Sequence, residues 1–135
     1  MADEHVLVYE THEAIPFTCE NTLGIEKGTA VRLLDPATVS AATTLADICG
    51  GVTKTEKIAS DGKTKVSVYR GGIFRAKISG SVTAGDPLVF AGGGANNLLA
   101  TAAVNAEAVW GIAFETGTNA ETILYELSPT TMQLA

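Results

Sequence analysis

Aromatic side chains are scarce in this chain: four Phe, three Tyr and one Trp among 135 residues. A core with so few aromatic anchors has to be built from small aliphatic and β-branched side chains, as the 20 Ala and 17 Thr also indicate. Such a core buries less apolar area per residue, at roughly 25 cal/mol per Å². Oligomerisation or docking is therefore the expected supplement to the stability of one copy. Cysteine is nearly absent as well. Cys19 and Cys49 are far apart, fit no metal-ligand spacing and read as two buried free thiols, with a disulfide as the alternative. Basic residues number nine against fifteen acidic ones and form no run, and the net charge is −6. That balance repels phosphate backbones and anionic lipid, so neither nucleic acid nor a membrane surface is an expected partner. No apolar window approaches the length of a membrane span. The start of the chain, with Asp3 and Glu4 before the short apolar run Val6-Leu7-Val8-Tyr9, does not fit a secretory signal.

Residues arranged for chemistry are missing too. His5 and His12 have no carboxylate partner at a helical spacing and read as solvated or interface histidines. Gly92-Gly93-Gly94 is followed by no Lys-Ser/Thr pair, which leaves a loop tip rather than a phosphate cradle. None of the serines sits in a nucleophile-elbow sequence. The expectation is a protein with no catalytic residues, no metal site and no cofactor.

What the chain does contain is a repeat, and a repeat constrains architecture before any other feature. Ile25-Glu26-Lys27-Gly28-Thr29-Ala30-Val31-Arg32-Leu33 returns in outline as Val82-Thr83-Ala84-Gly85-Asp86-Pro87-Leu88-Val89-Phe90, the two glycines 57 positions apart. A Gly-aliphatic-small triplet follows in each copy, Gly51-Val52-Thr53 and Gly111-Ile112-Ala113, now 60 apart. Each copy closes on an alternating stretch, Lys65-Val66-Ser67-Val68-Tyr69 and Thr122-Ile123-Leu124-Tyr125-Glu126-Leu127. Asp86-Pro87 belongs to this repeated turn and reads as structural.

Short strand signals broken by glycine and Asx/Pro turns indicate an all-β fold. The expected form is a single small β-barrel or sandwich of about eight to ten strands with an internally duplicated unit. Residues 23–127 would form that duplicated domain, residues 1–22 a mobile N-terminal arm of which residues 1 to about 18 dock and are ordered only against a neighbour, and residues 128–135 a C-terminal tail. Asp61-Gly62 reads as a type I′ hairpin turn between residues 57–59 and 65–68. In residues 73–78, Arg75 and Lys77 should face one way and Phe74, Ala76 and Ile78 the other. Helix is scarce, with one or two turns expected over residues 44–49 and a single turn capped by Asn105.

Gly28-Thr29-Ala30-Val31, Gly51-Val52, Val68-Tyr69-Arg70-Gly71-Gly72-Ile73, Val82-Thr83-Ala84-Gly85-Asp86-Pro87-Leu88-Val89 and Gly111-Ile112-Ala113-Phe114-Glu115 together give the chain a family likeness. Over residues 23–127 it resembles the capsid cement, or head decoration, proteins of tailed bacteriophages. The resemblance implies a structural protein that binds the outer surface of an expanded capsid, commonly as a homo-trimer, and clamps copies of the major capsid protein together. It also implies a place on the virion's outer capsid surface, reached from the host cytoplasm during assembly. The loop over residues 53–64 is longer and more charged than its counterpart after Ala113, and the arm has no clear family pattern. Partner contacts are expected in those two places: Val6, Leu7, Val8 and Tyr9 in the arm, and Lys54, Lys57 and Lys63 as a local basic patch on an acidic protein. The alternatives are a carbohydrate- or peptide-binding β module, or another virion component such as a fibre or baseplate part.

Overall fold

A computed structural model of the chain describes residues 4–43, 47–92, 98–101 and 108–131. Among them the chain is all β, with eleven strands. They are β1 (Val6–Tyr9), β2 (Ile15–Thr18), β3 (Ala30–Leu34), β4 (Thr38–Ala41), β5 (Cys49–Thr53), β6 (Lys65–Tyr69), β7 (Gly72–Lys77), β8 (Pro87–Phe90), β9 (Leu99–Thr101), β10 (Ala108–Ala113) and β11 (Thr122–Thr131). Strands β2-β4-β3-β5-β6 close into a barrel, and β1-β7-β11-β10-β8-β9 form a six-stranded sheet.

The duplication is written into the hydrogen bonds. Gly28 N donates to Thr53 O and Thr53 N to Thr29 O; Gly85 N donates to Ala113 O and Ala113 N to Asp86 O. The Ile25/Lys57 and Val82/Gly117 bridges repeat with the same offsets. Gly28 and Gly85 both hold positive φ, 78° and 95°, in the turn that opens each copy. In the triplets the glycine answers to space. A Cβ on Gly51 would run into the carbonyl of Tyr69, and one on Gly111 into that of Glu126, the corresponding residue of the neighbouring strand.

Alternation sorts the barrel residues into two sets. Val31, Val39, Val66 and Val68 fill the barrel with Cys19 and Ile25. Their neighbours Ala30, Ala42, Cys49, Val52 and Tyr69 point outward, yet they are buried because they pack with Phe74, Phe90, Trp110, Tyr125 and Leu127 of the second half. One barrel's outside thus covers the other half's apolar interior, and Trp110 Nε1 pins the joint by donating to Asp47 O at 3.0 Å. The expected β7 pattern is present: Phe74, Ala76 and Ile78 are buried and Arg75 is exposed.

Several expectations need correction. Residues 15–18 are a barrel strand, paired with β6 from Ile15/Val68 to Thr18/Lys65, so the repeat reaches back beyond Leu23. The strand β1 pairs with β7 of its own chain. These two strands raise the count to eleven, and their antiparallel partners in β7 and β6 lie 47 or more residues away, where no local pattern points. The segment 57–59 does not form a hairpin with β6. Lys57 instead bridges to Ile25, and the residues with positive φ in this turn are Ser60 and Gly62 rather than Asp61. Cys49 lies within β5, and Asp47 and Ile48 belong to no helix. The rest of the expected helical segment, residues 44–46, lies outside the described residues, as do Asn105 and the loop tip at Gly93 and Gly94.

Candidate functional site

The arm is fastened by its first described residues. His5 N donates to Gly28 O at 2.9 Å, and His5 Nδ1 lies 2.6 Å from the Tyr125 hydroxyl, with the two rings edge to face. His5 is 3% exposed, so it is a buried anchor and not the solvated or interface histidine expected from the sequence. Nothing local signals this, since Tyr125 lies 120 positions away. Tyr125 titrates well above the ordinary tyrosine range because burial penalises the phenolate, with nearby Cys49 adding to the rise. Both cysteines are buried and free, and burial raises both thiols. No disulfide joins them.

Beyond His5 the strand β1 forms an edge of the six-stranded sheet, with β7 on one side. Leu7 packs onto the shared core, whereas Val6, Val8 and Tyr9 are exposed, Tyr9 by 65%. An edge strand with apolar side chains in solvent is a template for strand addition or lateral docking. Below it lies a cleft of about 400 Å³ lined by Val6, Leu7, Lys27, Lys54, Tyr69 and Phe74, among others. Lys54 sits over the Tyr69 ring, 6.0 Å from its centroid. Three of the seven residues singled out from the sequence, Val6, Leu7 and Lys54, therefore meet at one cleft.

The other two lysines divide. Lys63 is exposed. Lys57 is 2% exposed, and its ammonium donates to Asn21 O at 2.9 Å and Ile58 O at 2.6 Å while pairing with Asp61 at 2.8 Å. Its charge is used to hold the 57–61 turn against the Asn21 segment, so Lys57 belongs to the loop's internal frame. That hydrogen bond from Lys57, joined by one from the Lys63 backbone amide, holds the Asp61 carboxyl below its ordinary range. Lys57 and Lys63 both border a smaller depression of about 220 Å³ with Glu56, Lys65 and Ser67.

A third surface carries no residue singled out from the sequence. At one end of the barrel an apolar groove of about 400 Å³ is lined by Phe17, Leu33, Leu34, Asp35, Ala37 and Ile48. Among the described residues no group of three or more His, Cys, Asp or Glu could hold a metal ion. The three surfaces offer apolar contact, strand edges and a few lysines, which is chemistry for holding a macromolecule.

Comparison with known proteins follows the same line. A family model described as phage cement protein matches residues 9–127, spanning both halves of the repeat. No curated protein matches the chain. Among solved structures it is similar to the N base of the head fiber gp8.5 of bacteriophage phi29, with a TM-score of 0.58 and 14% identity. That likeness covers 90% of this chain and 98% of the other, and it speaks to the fold.

Proposed function

Because the chain belongs to the phage cement protein family, a family of phage structural proteins, we propose that it binds the outer surface of an expanded phage capsid and stabilises the shell as a decoration protein. The observation that carries this reading is the family match across residues 9–127, which takes in both halves and nearly all the strands. The partner is the major capsid protein. Docking uses Val6, Val8 and Tyr9 on β1 together with Lys54 at the cleft below it, with Lys63 as an outlying charge; the protein acts as a closed homo-oligomer, a trimer being the expected form, and performs no catalysis. It works on the outer capsid surface after passing through the host cytoplasm during assembly. Contacts of this kind are individually weak, and tight attachment comes from several linked copies acting together.

The test is co-sedimentation of the purified protein with expanded and unexpanded shells of its phage. Binding to expanded shells that raises their disruption temperature supports the reading, and absence of the protein from the shell pellet overturns it. Changing Val6, Val8 and Tyr9 together to serine is expected to weaken shell binding at least tenfold while the free protein still folds. Deleting residues 1–18 is the wrong experiment, because it removes a barrel strand and the buried His5 as well. The likeness to a head-fiber base makes a fibre component the second reading; under it, image reconstruction of decorated shells would show density projecting beyond the protein.

A further inference from the structure

The joint between the halves shows what kind of surface fits onto one of these units, and among the described residues one such joint is left unmade at each end. Corresponding positions follow from the strand registers. Ile15 pairs with Val68 as Phe74 pairs with Tyr125, and Leu33 pairs with Val39 as Phe90 pairs with Leu99. Likewise Val52 pairs with Tyr69 as Ile112 pairs with Glu126. Inside the molecule, the face carrying Val52 and Tyr69 seats on the apolar residues that include Phe74 and Phe90, and all four are buried. Among the described residues no such face lies over their counterparts. Ile15 is exposed and Leu33 half-buried, the latter lining the apolar groove with Leu34 and Ile48, whose exposures are 40% and 62%. At the other end of the molecule Ile112, the counterpart of Val52, is 44% exposed, with Phe114, 46% exposed, on the same strand end.

We propose that the groove at Leu33, Leu34 and Ile48 of one copy receives the sheet face around Ile112 of a second copy, repeating between molecules the contact that the two halves make within one. Charge is mixed across the match: Asp35 lines the groove, and a cation stands at its edge. Arg70 lies beside the groove, donating to the carbonyls of Cys49 and Gly50 next to Ile48, and Glu126 stands directly across from Ile112 on the incoming face. Such a contact joins two different surfaces, so it is heterologous and generates a closed ring when the rotation permits. The proposal rests on the closed-oligomer reading above and assigns the surfaces that close it.

Sedimentation of the full-length protein at rising concentration tests it, with Ile48→Glu and Ile112→Glu compared with the parent chain. The parent is expected to associate. Each variant alone is expected to remain monomeric, while an equal mixture of the two stops at a dimer, since each still carries one intact surface. Leu34→Glu serves as a second groove variant should Ile48→Glu fail to fold by circular dichroism. If the parent associates and the folded variants match its mass, these surfaces are not the contact, although the oligomer reading survives. A parent chain that stays monomeric throughout overturns both.

Discussion

The two halves share one hydrogen-bonded frame and fill it differently. In the first, Val31, Val39, Val66 and Val68 occupy the interior, and the ring closes by the parallel pairing of β2 with β4 at Thr18 and Thr38. In the second, Leu88, Leu99, Ile123 and Tyr125 stand at the corresponding inner positions, with Phe74, Phe90 and Trp110 beside them. There, the matching closure is reduced to an isolated bridge between Ile78 and Leu99. Larger side chains demand a wider enclosure at native packing density. The second half obtains it by using the first barrel's outer face as a wall and β1 as an extra strand. Backbone pairing sets the topology, and side-chain volume decides whether a unit closes on itself or needs a neighbour.

The comparison breaks most visibly at the joint. Trp110→Ala removes the largest fully buried side chain and its bond to Asp47, and should cost about 3–5 kcal/mol in denaturant unfolding. A loss under about 1 kcal/mol would mean that the second half does not depend on this plug. The charged turn of the first half is next. Lys57→Glu strands a carboxylate among two carbonyls and Asp61, for an expected loss of about 3–5 kcal/mol, whereas exposed Lys63→Glu should stay within about 0.5 kcal/mol. Equal melting of these two variants would contradict the buried position of Lys57.

Gly51→Ala and Gly111→Ala sharpen the equivalence itself. Both place a methyl against a carbonyl of the neighbouring strand, so both should destabilise by about 1–3 kcal/mol or more. If one is tolerated and the other is not, the two triplets do different work. The smallest effect concerns acid. Asp61 has its folded pKa lowered, so its contribution is present above the ordinary carboxylate value and is lost as pH falls through the depressed one. Glu121, which accepts from the Thr118 amide and hydroxyl at the corresponding turn of the second half, behaves in the same direction. Asp61→Asn and Glu121→Gln should each flatten the acid limb of the stability profile slightly, and an unchanged limb in both would remove these turns from the acid response.

Much of this is legible in the sequence alone. The turn glycines and the triplets mark places where only glycine fits the backbone, and such places recur whenever a unit is duplicated. The buried and exposed sides of β7 were legible because strand alternation is a local property. The roles of His5 and Lys57 were not. A histidine in a polar segment and a lysine in a charged loop look solvated until the fold brings Tyr125 to one and the Asn21 and Ile58 carbonyls to the other. The apolar groove was equally hidden, because Leu33 and Leu34 read as ordinary strand residues and Ile48 as part of a helical turn until the fold brings the three together at one end of the barrel.

The amino-acid sequence by itself determined the all-β class, the duplicated frame and the family, since these depend on periodicity, turn chemistry and the spacing of glycines along the chain. Only the tertiary structure decided that β1 and β2 are built into the two units, that His5 and Lys57 are internal ties, and which apolar faces remain uncovered. Those outcomes depend on pairings between residues tens of positions apart, and burial is settled by what arrives from elsewhere in the chain.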